Sequence, residues 1–248
     1  MPSLLTLVWL TALGLALFAI AALAGLVVAR LFRDRDERAD PDRRAKISKT
    51  LLDHATGRGP RPNLDLSRRI ERIAVLESTL DALPFLRAEH RHRLVAFLRD
   101  AGLDRRLIRQ SRSGSVRDRI EALEGLVLFP GADTLAALLR AERSQDLRIW
   151  LEALRTRTLL GAGPDMTELL HMSTRPGARR APIMQELLER CAEADVEAAL
   201  AALEAEPPPL TRVLLIRALG QTKNAKALQP IMDQLSDADG AVRCAAAE

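Results

Sequence analysis

Ala227-Leu228-Gln229-Pro230-Ile231-Met232-Asp233-Gln234-Leu235-Ser236-Asp237-Ala238-Asp239-Gly240-Ala241-Val242-Arg243 is the stretch whose reading decides the fold. Leu228, Ile231, Met232 and Leu235 recur at three- and four-residue steps, the period of a helix with one apolar side. Asp237, Asp239 and Gly240 then interrupt the pattern, and Val242-Arg243 resume it. Aspartate accepts hydrogen bonds from the free N–H groups at a helix start, so this acidic pair marks the opening of a second helix. The stretch reads as helix, short turn, helix.

Working outward, the same pattern returns upstream. Val116-Arg117-Asp118-Arg119-Ile120-Glu121-Ala122-Leu123, Leu147-Arg148-Ile149-Trp150-Leu151-Glu152-Ala153-Leu154 and Arg212-Val213-Leu214-Leu215-Ile216-Arg217-Ala218-Leu219 align with the start of Val242 to Glu248. A weaker copy carries Arg180, Ile183, Met184 and Leu187. The aligned leucines Leu123, Leu154, Leu187 and Leu219 stand 31, 33 and 32 residues apart. Each period holds a first helix with an arginine-then-apolar pattern, a turn, and a second amphipathic helix. The second helices are expected over Leu135 to Leu139, Met166 to Leu170, Val196 to Leu203 and Leu228 to Leu235. One such hairpin cannot bury its apolar side alone, whereas stacked hairpins share a continuous core.

With this pattern the sequence resembles the HEAT-repeat family, more closely its short bacterial HEAT-like form. The phrase from Ala227 to Arg243, a helix ending in Leu-x-Asp-x-Asp followed by Val-Arg, carries most of the resemblance, which extends over about Ser113 to Glu248. The resemblance implies an all-α solenoid of helical hairpins. It implies that Asp237 or Asp239 caps the next helix and that Arg243 ties neighbouring repeats. Arg117, Arg148, Arg180 and Arg212 are the corresponding repeat positions.

Departures from the pattern are local. Pro182 must kink the first helix of the weak repeat or mark its first turn. Pro207-Pro208-Pro209 stiffens the entry to the next. Upstream, Leu66 to Leu83, Phe85 to Asp100 and Asp104 to Arg109 read as helices forming an N-terminal cap or degenerate repeat. At the other end, Ala245-Ala246-Ala247-Glu248 stops midway through a first helix. This predicts an incomplete last repeat, with either a longer parent chain or a covering partner.

The N-terminus differs in kind. Leu4 to Val28 contains no charged residue and no polar side. As a helix it runs roughly 37 Å at about 1.5 Å per residue, enough to cross a hydrocarbon core of about 30 Å with tilt. A single transmembrane helix is therefore expected ahead of the solenoid. Trp9 suits an interfacial anchor, and Arg30, Arg33, Arg35 and Arg38 follow the run while no base precedes it, which places the C-terminal side in the cytoplasm. A cleaved signal peptide ending at Ala22-Leu23-Ala24 is the weaker alternative, because no basic residue opens it and the apolar run is long. Gly14, Ala21 and Gly25 share one helix side, a candidate face for packing against another membrane helix. Between anchor and repeats, Arg33 to Leu64 is charged and then broken by Gly57, Gly59, Pro60 and Pro62, which reads as a linker. Inside it Arg43, Arg44, Lys46 and Lys49 near Ile47, Leu51 and Leu52 form a short basic amphipathic pattern suited to anionic headgroups. The expected division is anchor 1–32, charged juxtamembrane linker 33–64, helical cap 65–112 and HEAT-like repeats 113–248.

Composition agrees. Leu and Ala dominate, Tyr is absent and aromatics make up 3% of 248 residues, which favours helices over strands. The net charge is +4 and the pI about 9.6. Much of the excess lies between Arg30 and Lys49, where eight bases face five acids. The repeats are thus near neutral, which disfavours nucleic acid. Cys191 and Cys244 make no disulfide framework and read as small buried hydrophobes in a reducing compartment.

No catalytic constellation is legible. His90 and His92 are two apart and so point to different sides of a helix, unlike a metal-binding pair. Gly161-Ala162-Gly163-Pro164 is a turn between helices, not a phosphate loop. Nothing pairs a nucleophile with a base and an orienting group. The expectation is a non-enzymatic scaffold without cofactor or metal, held at the inner (plasma) membrane. Anchored in the lipid bilayer by that one helix, its repeats would bind a membrane-associated protein partner on the cytoplasmic side, with no nucleic acid and no small-molecule substrate. The alternatives that the resemblance leaves open are a tetrapyrrole-handling role, as in bilin lyases, and DNA binding, as in HEAT-like glycosylases.

Overall fold

The computed structural model describes residues 41–248. The expected membrane helix Leu4–Val28, with Gly14, Ala21 and Gly25, lies outside them. Among the described residues no helix is long and apolar enough to cross a membrane. The described chain is helical throughout, with no strand. It forms two compact units that divide between Phe97 and Leu98.

In the first unit, α1 (Pro41–Ala55) packs on α2 (Arg69–Ala82). The stretch expected as a linker therefore contains a helix. Ile47, Leu51 and Ala55 lie on one side of it and are buried. Their apolar side is taken by protein, leaving other sides of α1 for solvent. Arg44 pairs across to Glu77 and Asp81 on α2. The first turns of α3 (Ala88–Asp100) add Leu94 and Phe97 to this core. His54 meets the Phe97 ring edge-on with centroids 4.8 Å apart, and Arg93 donates to the Ala55 carbonyl at 3.2 Å.

The second unit is a two-layer stack. Its first layer is α5 (Val116–Gly125), α7 (Leu147–Leu159), α9 (Pro182–Ala194), α11 (Pro209–Gln221) and α13 (Gly240–Ala247), each packed on the next. Its second layer is α4 (Leu103–Gln110), α6 (Ala132–Ala141), α8 (Met166–Ser173), α10 (Val196–Glu204) and α12 (Ala225–Asp233). Each second-layer helix packs on the first-layer helix that follows it. This is a HEAT-like arrangement of stacked hairpins. The repeat period explains it directly: Leu123, Leu154, Leu187 and Leu219 are all 0% exposed and occupy equivalent places between the layers. Burying each is worth about 1.5–3 kcal/mol. The stack is continuous because the same core runs from Trp150 through Leu187 and Leu215 to Val242 and Ala245.

Helix ends follow local chemistry. Ser115 and Asp118 form a reciprocal capping box at the start of α5. Asp146, Asp165, Asp195 and Asn224 cap α7, α8, α10 and α12 by accepting from backbone N–H groups. Pro182 stands in the first turn of α9, where its missing N–H costs nothing. Gly161 adopts φ +73° and ends α7, so the Gly161 to Pro164 stretch is a turn. Cys244 corrects one expectation: it is exposed, and Cys191 is half-buried. On α13 the inward positions are Val242 and Ala245, which turns Cys244 outward.

Candidate protein-interaction surface

The joints between repeats come first, because they hold the surfaces in register. At the last joint, Asp239 caps α13 by accepting from Ala241 N–H at 2.8 Å. Asp237 does something else: its carboxylate accepts from Arg212 at 3.0 Å and from Asp239 N–H at 2.7 Å. Arg212 also donates to the Pro207 carbonyl at 3.1 Å, tying the start of α11 to the turn before α13. Arg243 folds back onto the same turn and donates to the carbonyls of Asp237 at 2.7 Å and Ala238 at 2.9 Å. The two acids of one short turn therefore have separate tasks.

The other aligned arginines sit in different surroundings. Arg117 pairs with Glu121 one turn along α5 at 2.9 Å. Arg148 pairs with the cap residue Asp146 at 3.0 Å, and that contact holds the Asp146 carboxyl below the usual carboxylate range. Arg180 lies in the 3-10 turn Ala178–Arg180 ahead of α9. Arg117, Arg148, Arg180 and Arg212 thus do not converge on a common site.

The first layer carries a charged ladder that periodicity alone did not reveal. Arg155 on α7 reaches Glu152 on its own helix at 3.4 Å and Glu186 on α9 at 3.1 Å. Glu186 in turn accepts from Arg190 at 3.2 Å. Glu152 is only 4% exposed. Burial, and then the nearby Glu124 carboxylate on α5, hold its carboxyl above the ordinary range despite Arg155. Thr156 donates to the Leu123 carbonyl at 3.2 Å and links the same two helices. The signal was present in the sequence, since Glu121 and Glu152 are 31 residues apart in equivalent places. An acid one turn from an arginine reads first as an ordinary surface pair, so only the packing shows that one member is buried.

The second layer carries an apolar stripe on its outside. On α12 and the turn after it, Leu228, Met232 and Leu235 form a stripe at four- and three-residue steps, with exposures of 62%, 49% and 43%. Leu139 on α6 is also exposed. The Lys226 ammonium pairs with Glu197 of α10 beside this stripe. Single exposed leucines are ordinary on any protein, but a stripe on one helix is a surface that other apolar groups can cover.

Chemistry is sparse by comparison. Among the described residues no group of three or more His, Cys, Asp and Glu side chains is placed to hold a metal ion. His90 lies 3.6 Å from its neighbour Glu89. Burial, followed by Asp165 and Asp195, pushes the Cys191 thiol up, away from the thiolate a nucleophile needs.

No curated protein and no solved structure matches the chain. Residues 196–248 match the profile of the HEAT repeats family, whose stacked hairpins are scaffolds for protein contacts, so this part of the chain is a short HEAT-like repeat region.

Proposed function

We propose that this protein is a membrane-tethered scaffold whose HEAT-like stack binds a protein partner at the cytoplasmic side of the membrane. The observation that supports the binding half is the stacked-hairpin unit, on which Leu228, Met232 and Leu235 stand exposed along one side. A solenoid offers extended, rigid surfaces, because each repeat is held by its neighbours. The tethering half rests on the uncharged run Leu4 to Val28 and the arginines after it. Holding the stack at a membrane raises its effective concentration for a partner confined to the same membrane.

The test uses the full chain and a form lacking residues 2–30. The full chain is expected to stay in the membrane pellet after alkaline extraction, and its C-terminus to be protected in sealed vesicles of cytoplasm-inside orientation. Crosslinking before solubilisation is expected to capture one membrane protein in defined stoichiometry. Leu228→Glu with Met232→Glu should reduce that capture at least tenfold without changing the pellet fraction. Extraction of the full chain by alkali sinks the tether. Capture unchanged by the double substitution sinks the assignment of the α12 stripe.

A further inference from the structure

The first unit contains a feature that a protein-binding stack does not use. A cleft of about 510 Å³ opens between α1 and the end of α2. Ala45 and Leu52 of α1 line one wall, and Ala82, Phe85 and Leu86 line the other. Phe85 stands at the cleft 88% exposed, an unusual cost for an aromatic side chain unless something apolar covers it. The volume falls in the range of small-molecule sites, about 300–1,000 Å³. One turn of helix with its side chains, about 10–12 Å across and about 5.4 Å long, would fill it entirely. A single alkyl chain fits more naturally than a segment of protein.

Two polar features define the other end of the ligand. Ser78 contributes to the cleft, is 5% exposed, and its hydroxyl has no hydrogen-bond partner among the described residues. A buried hydroxyl without a partner costs free energy, so the site is complete only with a polar group beside it. At the rim Arg44 lies between two carboxylates, 3.0 Å from Asp81 and 3.2 Å from Glu77. Arg44 and Asp81 line the cleft itself, and Glu77 reaches Arg44 from beside it, so one cation stands between two anions. A purely anionic head meets repulsion from the acids, and a purely cationic head meets Arg44. A zwitterionic head satisfies both, with its phosphate at Arg44 and its ammonium at Asp81 and Glu77.

We propose that the α1–α2 cleft binds one acyl chain of a zwitterionic phospholipid, with Arg44, Asp81 and Glu77 meeting its headgroup and Ser78 its glycerol oxygens. The proposal leans on the membrane reading for supply only. Twelve residues separate Val28 from the start of α1 at Pro41. Even fully extended they would reach at most about 43 Å, so an anchored chain keeps the cleft near the bilayer surface.

The test is photolabelling of the purified full chain, held in an amphipathic polymer, with a lysophosphatidylcholine carrying a diazirine on its acyl chain below its micelle concentration. Adducts are expected in the segments 44–52 and 78–86, and unlabelled lysophosphatidylcholine should displace them. Ala82→Trp and Ala45→Trp fill the cleft from opposite walls, and each should cut labelling at least tenfold. Ser78→Ala should weaken displacement about three- to tenfold, the worth of one hydrogen bond. Myristate and tetradecyltrimethylammonium should each displace the probe at least fivefold less well. Equal displacement by either overturns the paired-head assignment, and adducts confined to other segments overturn the cleft itself. Labelling is read on purified protein, so a failure of the tether in cells and a failure of the cleft are separate results.

Discussion

Arg212 and Asp237, 25 residues apart in the chain, form an ion pair at 3.0 Å with side chains only 18% and 11% exposed. It joins the first turn of α11 to the turn that launches α13. Because Asp237 also accepts from Asp239 N–H, it orients the residue that caps α13. Asp237→Ala removes both contacts and leaves a largely buried guanidinium short of its charge partner. The expected loss is about 2–3 kcal/mol in chemical denaturation, the scale of a hydrogen bond to a charged group. Arg212→Ala in the same background should add little, since the shared contact is already gone. Additive losses in that double-mutant cycle would show that the two side chains act independently.

Capping gives a smaller and more uniform effect. Asp239, Asp195 and Asp165 accept from N–H groups of α13, α10 and α8 at 2.8, 3.0 and 2.7 Å. Replacing any one by Ala should cost about 1 kcal/mol, and replacing it by Asn only a few tenths. Thermal melts of the three pairs would check this. Equal losses for Asn and Ala would mean that the charge, not the accepted hydrogen bond, carries the effect.

The aligned leucines test the shared core. Leu154→Ala and Leu187→Ala each leave a void at fully buried positions between the layers and should cost about 2–5 kcal/mol. Leu228→Ala, on the exposed stripe, should stay within about 0.5 kcal/mol. The contrast separates core from surface more sharply than either value alone.

Glu152 makes stability depend on pH. Burial and Glu124 raise its carboxyl above the ordinary value, more than Arg155 lowers it. The folded chain therefore holds this proton more tightly than the unfolded chain does. Its contribution to stability is present below the ordinary carboxylate range and is lost as pH rises through the raised value. Glu124 and Glu142, also raised chiefly by burial, act in the same direction. Glu152→Gln should raise the Tm at pH 7 relative to the parent and flatten the slope across the window that opens above the ordinary carboxylate range. A substitution that lowers the Tm equally at both ends of that window would mean that the Arg155 contact outweighs the cost of burial.

Periodicity by itself determines the repeats. Leucines 31 to 33 residues apart, with turn residues and acids between them, leave a stack of hairpins as the arrangement that buries the aligned positions in one shared core. The caps were legible for a local reason, since an aspartate finds its N–H partners within three residues. What lies further along the chain had to come from tertiary structure. Asp237 and Asp239 look interchangeable in the sequence, yet one meets Arg212 from 25 residues away and the other does not. Glu152 and Glu121 share a repeat position, but packing buries only the first. The segment around Ile47 and Leu51 reads as a linker until α2 supplies the surface that covers it. In each case local spacing decides which residues form a helix, while the fate of a side chain depends on what a distant element brings against it.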